Sequence, residues 1–364
     1  MSHFAGRLGI VQRVLPSYRA PFFDLLAQHT DGLSVFAGQP RPGEAIRSAM
    51  HLSVAHWQPA FNLHLLSGPL YLCYQRGLLD WLQGLNPDAL VVEANPRYLS
   101  TPQAIRWMRT HGRPVLGWGL GAPPVRGPLA AARTARRLKF LQQFDGLIAY
   151  SQHGAAQYRA LGIPAERVFV APNAVAPRPS APLPTRSWDG QLTLLYVGRL
   201  QARKRLDALL RACAALPTQH QPRLVLVGDG PARAELQQLA QHTYPSTEFT
   251  GHLQGEALAQ RFNQAHLFVL PGTGGLAVQQ AMAHGLPIIV AEGDGSQADL
   301  VDSDNGWLLP AGDEAALRSA LAEALTDPAA LQAKGAVSYQ RVQDTFNLES
   351  MAAAFIQAIN TVKG

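Results

Sequence analysis

Short apolar runs alternate with helix-forming segments along the second half of the chain. The runs predict buried strands, and the segments between them have helical periodicity. Continuous apolar strands joined by helices are typical of a parallel sheet that is covered on both faces. The strands expected are Leu192–Val197, Arg223–Val227, Glu248–Thr250, His266–Leu270 and Pro287–Val290.

The first half repeats this alternation more loosely. Its predicted strands are Leu8–Val14, Leu33–Phe36, Ala89–Val92, Pro114–Gly117, Gly146–Tyr150 and Val168–Val170. Together the halves predict an α/β protein of two doubly wound domains that face each other across a cleft. Because ligands of such sheets bind at the carboxyl ends of the strands, the residues that follow each strand are the candidates for function.

A proline-rich stretch separates the two halves. Between Ala171 and Ser187 the chain has five prolines, which exclude a helix or a central strand and indicate an extended linker. We therefore predict a first domain at 1–171, a linker at 172–187 and a second domain at 188–346. The chain is expected to end in a helix at 347–364, which can cross back to the first domain.

Length and composition agree with two domains. The 364 residues are about 2.4 times the usual ~150-residue domain, and 47% hydrophobic with 15% charged residues is typical of a soluble globular protein. No apolar run approaches a membrane span and the N-terminus does not resemble a secretory signal, so we expect a cytoplasmic protein. The two cysteines, Cys73 and Cys213, are far apart, which argues against a disulfide framework and a zinc site.

The net charge of +6 conceals an asymmetry between the halves. Residues 1–186 have 19 Lys and Arg against 8 Asp and Glu, whereas residues 187–364 have 12 against 17. A basic half beside an acidic one fits an anionic membrane surface or a phosphate-bearing acceptor better than nucleic acid. A basic amphipathic helix between Arg126 and Lys139 strengthens the membrane prediction, although solvated arginines on helix faces explain the same counts.

Basic residues follow the first strand of the second half. Gly198 lets the backbone turn close to a ligand, and Arg199 and Lys204 can hold one phosphate group from two sides. Cations at a helix N-terminus oppose the helix dipole, so their clustering here favours an anionic ligand over a plain surface helix. The turn Gly228-Asp229-Gly230 after the next strand is a weaker candidate, because such turns are often purely structural.

A glycine-rich loop leads from the strand ending at Leu270 into the next helix. Its glycines expose backbone amides at the start of the helix, where a negative or hydroxyl-rich group can bind. One of the two glutamines in this helix, Gln279 or Gln280, should face the ligand, since a carboxamide suits a vicinal diol. The alternative for that glutamine is solvent exposure. The loop residues are Gly272, Thr273, Gly274, Gly275 and Leu276.

These residues, in this order, resemble the second half of a family 4 glycosyltransferase over about residues 151–359. The family has the GT-B fold of two Rossmann-like domains, and the resemblance implies retaining transfer from a nucleotide-diphosphate sugar without a metal or other cofactor. It also implies that Arg199 and Lys204 hold the donor diphosphate, while the 272–276 loop and Gln280 contact the sugar and ribose. Further markers are Phe249-x-Gly251, Gln280-Ala281-Met282-Ala283-x-Gly285-x-Pro287 and Asn305-Gly306.

One departure concerns two glutamates that the family usually carries eight positions apart. Here the positions hold Gly272 and Gln280. In front-face transfer the departing phosphate can accept the acceptor proton, so the cations matter more than a protein base, and the prediction of an enzyme stands. The alternatives are a catalytically silent nucleotide- or glycan-binding partner subunit and, more remotely, a nucleotide-sugar 2-epimerase.

The first half supplies the candidates for the acceptor side. The segment from Pro16 to Phe23 is similar to family members that build surface polysaccharides, which implies a lipid-linked or saccharide acceptor. Glu93 ends an apolar strand, where it can bind hydroxyls or act as a base, or else pair with Arg97. Trp118 beside glycines suits sugar stacking, and Arg19 is placed to meet a phosphate. The acceptor-side candidates are Tyr18, Arg19, Asn95, Arg97 and Trp118.

Overall fold

The chain forms two separate units in a computed structural model. The structure describes residues 2–44 and 46–364. Unit 1 comprises the residues up to Val175 together with Leu348–Gly364, and unit 2 comprises Ala176–Asn347. The boundary therefore lies inside the stretch that was predicted as a linker, and the chain passes between the units twice. Among the described residues, no helix combines the length and the apolar character that a bilayer crossing requires.

Unit 1 is built on a seven-stranded parallel sheet. Its elements in chain order are β1 (Phe4–Val14), α1 (Ala20–Ala27), β2 (Thr30–Gly38), β3 (His56–Pro59), β4 (Phe61–Leu65), β5 (Leu72–Arg76), α2 (Leu78–Leu85), β6 (Ala89–Glu93), α3 (Thr101–Thr110), β7 (Val115–Gly119), α4 (Ala130–Leu141), β8 (Gly146–Ala149), α5 (Gln152–Ala160) and β9 (Val168–Val170). The sheet order is β3-β2-β1-β6-β7-β8-β9. Strands β4 and β5 form a separate antiparallel hairpin.

Unit 2 is built on a six-stranded parallel sheet. Its elements are β10 (Thr193–Val197), α6 (Leu206–Ala214), β11 (Arg223–Val227), α7 (Arg233–Thr243), β12 (Glu248–Gly251), α8 (Gly255–Gln264), β13 (Leu267–Leu270), α9 (Leu276–Ala283), β14 (Ile288–Ala291), α10 (Gln297–Leu300), β15 (Gly306–Leu309), α11 (Glu314–Ala324) and α12 (Pro328–Asp344). The sheet order is β12-β11-β10-β13-β14-β15.

Burial on both faces of the sheet explains why the strands read as apolar runs. Leu194, Leu195 and Tyr196 follow one another in β10 and are all fully buried. Because successive side chains of a strand point to opposite faces, such a run is stable only when helices cover both faces. The same logic accounts for Leu90 to Val92 in β6.

The C-terminal helix α13 (Leu348–Lys363) belongs to unit 1. Met351, Phe355 and Ile359 recur at helical spacing and are fully buried. The ring centroid of Phe355 lies 5.0 Å from those of Phe22 in α1 and Trp118 in β7. Helix α13, at the end of the chain, therefore completes the hydrophobic core that α1 and β7 form in unit 1.

Both sheets have a switch point, which is the place where the strand order reverses direction. In unit 1 it lies between β1 and β6, and in unit 2 between β10 and β13. Connections on the two sides of a switch point leave in opposite directions and open a crevice at the carboxyl ends of the strands. The residues that follow these four strands are therefore those placed to meet a ligand.

Candidate functional site

The switch point of unit 2 brings two predicted loops together. β10 and β13 pair in parallel, so the segment after Val197 and the loop after Leu270 leave from the same edge of the sheet. A single 3-10 turn, Ala202–Lys204, follows the first strand and directs its cations toward the glycine loop of the second. This arrangement places basic side chains against bare backbone at the edge where ligands of such sheets bind.

Lys204 and Arg203 are anchored on the glycine loop. Lys204, a residue that is 9% exposed, donates through its ammonium to the Thr273 carbonyl, and Arg203 Nη1 donates to Thr273 Oγ1 at 2.9 Å. Burial and the neighbouring Arg203 charge lower the pKa of Lys204 to about 8. Within the described part of the chain, neither cation has a carboxylate partner. Two cations without a carboxylate partner on a glycine loop have the chemistry to bind an anion.

Arg199 contributes a third cation that is exposed. Its carbonyl accepts a hydrogen bond from the Tyr196 hydroxyl at 3.0 Å, which fixes the backbone at the strand end. Among residues 2–44 and 46–364, no side chain or carbonyl holds its guanidinium. Arg199 is therefore free to bind a ligand, whereas Arg203 and Lys204 are already positioned.

The backbones of Gly198 and Gly228 pack directly against each other. A Cβ at Gly228, where φ is +136°, would overlap the carbonyl oxygen of Gly198, and Leu200 N donates to the Asp229 carbonyl at 2.9 Å. A Cβ at Gly230 would overlap the Leu200 carbonyl in the same way. The structure thus gives the Gly-Asp-Gly turn a packing role, and contact between Gly228 and a donor stays a prediction.

Close packing also explains why positions 272 and 274 of the loop are glycines. A Cβ at Gly272 would overlap the carbonyl of Arg203 and lie 2.6 Å from the Cα of Lys204. At Gly274, where φ is +129°, it would overlap the Lys204 ammonium. Gly275 then caps α9, which begins at Leu276. A glutamate cannot replace Gly272 unless this backbone moves.

The two glutamines of α9 have different roles. Gln279 is fully buried; its Oε1 accepts from Ala176 N at 2.9 Å, and its Nε2 donates to the Phe346 carbonyl at 2.5 Å. It therefore ties together the first and the last residues of unit 2. Gln280 is partly exposed and is the glutamine that can reach a ligand.

Sequence reasoning missed Gln297 at the start of α10. This side chain is 1% exposed, and its Nε2 donates to the Gly274 carbonyl at 2.9 Å. The preceding segment is polar and rich in glycine, and nothing in its pattern indicates a partner more than twenty residues earlier. The only available signal is that β14 follows β13 and so ends at the same edge of the sheet.

Glu93 lies at the switch point of unit 1. Its Oε2 accepts from the backbone N–H of Arg13 at 2.7 Å, and the Tyr98 hydroxyl also donates to it. Burial outweighs these hydrogen bonds and raises the pKa of Glu93 to about 7. In the described part of the chain Glu93 pairs with the Arg13 backbone and Tyr98 and forms no ion pair with Arg97, whose side chain is exposed. The arrangement provides a carboxylate that can gain or lose a proton near neutral pH.

A second carboxylate near this switch point was also missed by sequence reasoning. Arg13 Nη1 lies 2.7 Å from Glu44 Oε2, and Arg41 Nη2 lies 2.9 Å from Glu44 Oε1. Although burial alone raises the pKa of Glu44, the hydrogen bonds from both arginines lower it to about 2. Arg41 also lies over the Tyr71 ring, 4.4 Å from its centroid. Glu44 is thus ionised at neutral pH, in contrast to Glu93, whose pKa is close to neutral.

Two acceptor-side predictions are wrong. Trp118 is 1% exposed, because this position of β7 faces the core under α1 and α13, so its ring offers no surface to a sugar. Arg19 is 5% exposed and donates to the Ala174 carbonyl at 3.1 Å and to Asn173 Oδ1. Its guanidinium holds the last residues of unit 1 before the crossing and does not face a ligand.

The other acceptor-side candidates are accessible. Tyr18 is 44% exposed and lies over the Arg19 guanidinium, 5.3 Å from it. Asn95 Oδ1 accepts from the backbone of Arg97 at 3.1 Å, which shapes the turn after Glu93. Tyr18, Asn95 and Arg97 remain candidates for contact with an acceptor.

Both halves of the chain match glycosyltransferase families. Residues 23–174 match the family described as glycosyl transferase 4-like domain, and residues 191–327 match glycosyl transferases group 1. Each half of the chain is thus similar to a glycosyltransferase domain. Together the matched ranges take in most of the sequence and include Glu93, Arg199, Lys204 and the glycine loop.

Curated relatives match part of the chain. A GDP-mannose-dependent alpha-mannosyltransferase of Mycolicibacterium smegmatis is 35% identical over 148 residues, 39% of this chain and 37% of that protein. The sulfoquinovosyl transferase SQD2 of Arabidopsis thaliana is 35% identical over 127 residues, 33% of this chain and 24% of that protein. The chain thus spans well under half the length of these relatives.

Solved structures match almost the whole chain. The lipopolysaccharide outer core galactosyltransferase WaaB aligns with a TM-score of 0.69 at 15% identity, covering 96% of this chain and 99% of that one. The Anabaena protein HepE, in complex with UDP, aligns with a TM-score of 0.72 at 15% identity, covering 99% and 100%. The predicted GT-B fold of two Rossmann-like domains is confirmed.

Proposed function

We propose that the protein is a glycosyltransferase which moves a sugar from a nucleotide-diphosphate sugar to a saccharide or lipid-linked acceptor. The observation that carries the proposal is the pair of cations Arg203 and Lys204 on the glycine loop at the switch point of unit 2, with the exposed Arg199 following the same strand. A nucleotide diphosphate has the charge to occupy this site. Its sugar would then contact the bare amides of the loop and Gln280.

The chemistry that we propose is retaining transfer without a metal. When the glycosidic bond breaks, negative charge develops on the departing diphosphate, and fixed cations stabilise that charge more than they stabilise the bound donor. The departing phosphate oxygen can accept the acceptor proton, so the absence of carboxylates at 272 and 280 does not prevent the reaction. In unit 1, Glu93 is the group suited to bind or deprotonate an acceptor hydroxyl.

The names of relatives support the choice of substrates. The mannosyltransferases are named for GDP-mannose, and HepE was solved with UDP and UDP-glucose, so UDP and GDP are the first nucleotides to test. A putative colanic acid biosynthesis glycosyltransferase of Escherichia coli, WcaL, is 27% identical over 234 residues, 59% of this chain. With WaaB, it supports a place in cell-surface polysaccharide or glycolipid synthesis.

The deciding experiment is a comparison of nucleotide affinity in charge-removal variants. The double variant R199A/K204A should bind UDP or GDP at least about 100-fold more weakly, because two charge-assisted contacts to phosphate are lost. R318A removes an exposed arginine of α11 and should match the parent within about two-fold. Equal affinity of the double variant and the parent, measured by calorimetry, would overturn the proposal.

A catalytically silent relative is the second candidate. It is favoured by the packing at Gly272, which excludes the family glutamate, and by the absence of a carboxylate at Gln280. Mass spectrometry of a nucleotide-sugar panel separates the two functions. Measurable nucleotide binding without hydrolysis or transfer of any sugar would favour the silent protein.

We also propose peripheral contact between unit 1 and the cytoplasmic face of an anionic membrane. Helix α4 exposes Arg133, Arg136 and Lys139, and the preceding Leu129 is 77% exposed. Co-sedimentation with vesicles of anionic and of zwitterionic lipid tests this contact. The variant R133E/R136E should lose binding to the anionic vesicles, and unchanged binding would contradict it.

A further inference from the structure

The loop after β14 lies beside the glycine loop. β13 and β14 pair in parallel from Phe268 to Leu270, so residues 271–275 and 292–296 leave from neighbouring strand ends. Gln297 bridges the two loops: its Nε2 holds the Gly274 carbonyl, and a Cβ at Gly293 would lie 3.4 Å from its Oε1. The Gln297 carboxamide is therefore at the same edge of the sheet as the proposed donor site.

The Oε1 atom of Gln297 has no partner. The side chain is 1% exposed, and no donor in residues 2–44 or 46–364 reaches this oxygen. In two other buried carboxamides of unit 2, those of Gln279 and Asn305, both the oxygen and the nitrogen are hydrogen-bonded. Asn305 Oδ1 accepts from Asp302 N at 3.0 Å, and its Nδ2 donates to the Leu300 carbonyl at 3.0 Å. Because buried acceptors are rarely left unpaired, the exception at Gln297 points to a donor from outside the chain.

The segment before Gln297 is held in place by its own hydrogen bonds. Asp294 Oδ1 accepts from the backbone N of Ser296 at 3.1 Å and from its hydroxyl at 2.6 Å. These bonds fix the entry to α10, so the carboxamide is positioned from the loop side as well as through Gly274. A positioned acceptor loses less freedom on binding than a mobile one.

We propose that Gln297 Oε1 accepts a hydrogen bond from a hydroxyl of the donor sugar and thereby selects the sugar; this rests on the proposed function. The glycine loop offers backbone N–H groups, which can bind sugar oxygens but cannot accept a hydroxyl hydrogen. The family glutamates that would accept one are absent at 272 and 280, and the side-chain space at Gly272 is filled by backbone. Gln297 supplies a buried, positioned acceptor from the neighbouring loop, whereas Gln280 is partly exposed. Contact requires a small shift of the glycine loop, because Oε1 itself is covered.

The test separates recognition of the sugar from recognition of the nucleotide. Calorimetric titrations with UDP, UDP-glucose, GDP and GDP-mannose give, for each base, the ratio of the nucleotide dissociation constant to that of the sugar nucleotide. Q297M has the same length without an acceptor, and it should reduce the ratio for the accepted donor about ten-fold while nucleotide affinity stays within about two-fold. Q297E keeps an acceptor oxygen and should retain most of the ratio.

A purely structural role of Gln297 gives a different result. Loss of the tether to Gly274 alone would weaken the nucleotide and its sugar equally in both Q297M and Q297E, and the ratio would not change; this result overturns the inference. Q279M is the matched control, since it removes a buried, fully paired carboxamide of unit 2 and should lower the melting temperature without changing the ratio.

Failure of the proposed function is distinguishable from failure of this inference. A parent protein that binds none of the four ligands contradicts both. A parent that binds nucleotides but gains nothing from any sugar contradicts only the role of Gln297. A sugar-dependent gain that Q297M abolishes and Q297E keeps supports the role of Gln297 as the residue that selects the donor.

Discussion

The switch points of the two units share one topology and differ in chemistry. In each sheet the first strand in the chain, β1 or β10, lies at the centre, with the next strand of the chain on one side and a strand from further along the chain on the other. Unit 2 places cations and bare glycine backbone there, with Lys204 as the buried charge. Unit 1 places the carboxylate of Glu93 there, with aromatic and charged neighbours. Strand order thus sets where a site forms, whereas the loop residues set its chemistry.

Burial shifts the pKa values of Lys204 and Glu93 in opposite directions, and in both cases it favours the neutral form of the side chain. It lowers the pKa of Lys204 to about 8, with help from Arg203, and raises the pKa of Glu93 to about 7. Both groups therefore change charge near physiological pH in the free protein. An anion beside Lys204 would restore its charge, and an acceptor hydroxyl beside Glu93 would meet a carboxylate that readily takes a proton.

The largest predicted effect comes from adding a carboxylate to unit 2. G272E must displace the backbone of Arg203 and Lys204, so we expect roughly 3 kcal/mol of destabilisation and more than about 100-fold loss of nucleotide affinity. Q280E places the second family glutamate at a partly exposed position and should be as stable as the parent within about 0.5 kcal/mol. Chemical unfolding and calorimetry check both, and a stable, nucleotide-binding G272E would show that the loop accommodates a side chain.

The next effect tests the carboxylate of unit 1. E93Q should lower kcat about 100-fold and remove the rise of kcat with pH near 7, because an amide cannot take a proton. Nucleotide affinity should not change. Transfer assays across the pH range measure this, with E166Q, an exposed carboxylate of unit 1, as control. A normal kcat in E93Q would assign proton acceptance to the donor phosphate alone.

Stability gives a second measurement on Glu93. Its pKa is raised from the ordinary 4.5 to about 7, so the folded state holds a proton that the unfolded state has released between these values. The parent should therefore lose stability as the pH rises through this window. E93Q has no group that ionises at this position and so has no cost of burying a charge. The free energy of unfolding of E93Q minus that of the parent should therefore be higher at about pH 8 than at about pH 4, by on the order of 2 kcal/mol. Equal pH dependence of unfolding in the two proteins would contradict the burial of the charge.

The sequence predicted the parallel strands because burial on both faces leaves an apolar run. It missed β3 and the β4–β5 hairpin, most of whose residues are partly or fully exposed; Phe61, for example, is 62% exposed. Exposed strands contain polar and apolar residues without a constant pattern, so composition gives no signal there. The loops around Arg199 and Gly272 were found because they follow buried strands directly.

The face of the sheet on which a side chain lies was not predictable. Trp118 and Arg19 were assigned to the acceptor side, yet α13, from the far end of the chain, covers that face through Phe355 and Met351. Gln297 was missed for a related reason, since its partner Gly274 belongs to another loop. Local pattern locates the strand ends, whereas contacts distant in sequence decide which side chains remain accessible.

A smaller effect concerns the charge of Lys204. Because its pKa is lowered to about 8, nucleotide affinity should fall about ten-fold between about pH 7 and about pH 9, as the ammonium loses its proton. K204R keeps its charge throughout this range and should show a flatter dependence. Calorimetry at several pH values measures both slopes. Parallel slopes would mean that another group controls the affinity.

The smallest effect lies in the turn that leads from Lys204 into α6. Arg205 has φ +54°, in the left-handed region, and its Nη2 lies 2.6 Å from Glu314 Oε1. R205A keeps the strain and loses the ion pair, whereas R205G loses the ion pair and relieves the strain, so R205G should be more stable than R205A by about 1 kcal/mol. Since exposed ion pairs contribute about 0–1 kcal/mol, R205G should lie close to the parent in chemical unfolding. Equal stability of R205A and R205G would mean that the turn relaxes without a glycine, and unit 2 would then hold Lys204 in place through the Thr273 carbonyl and not through the turn.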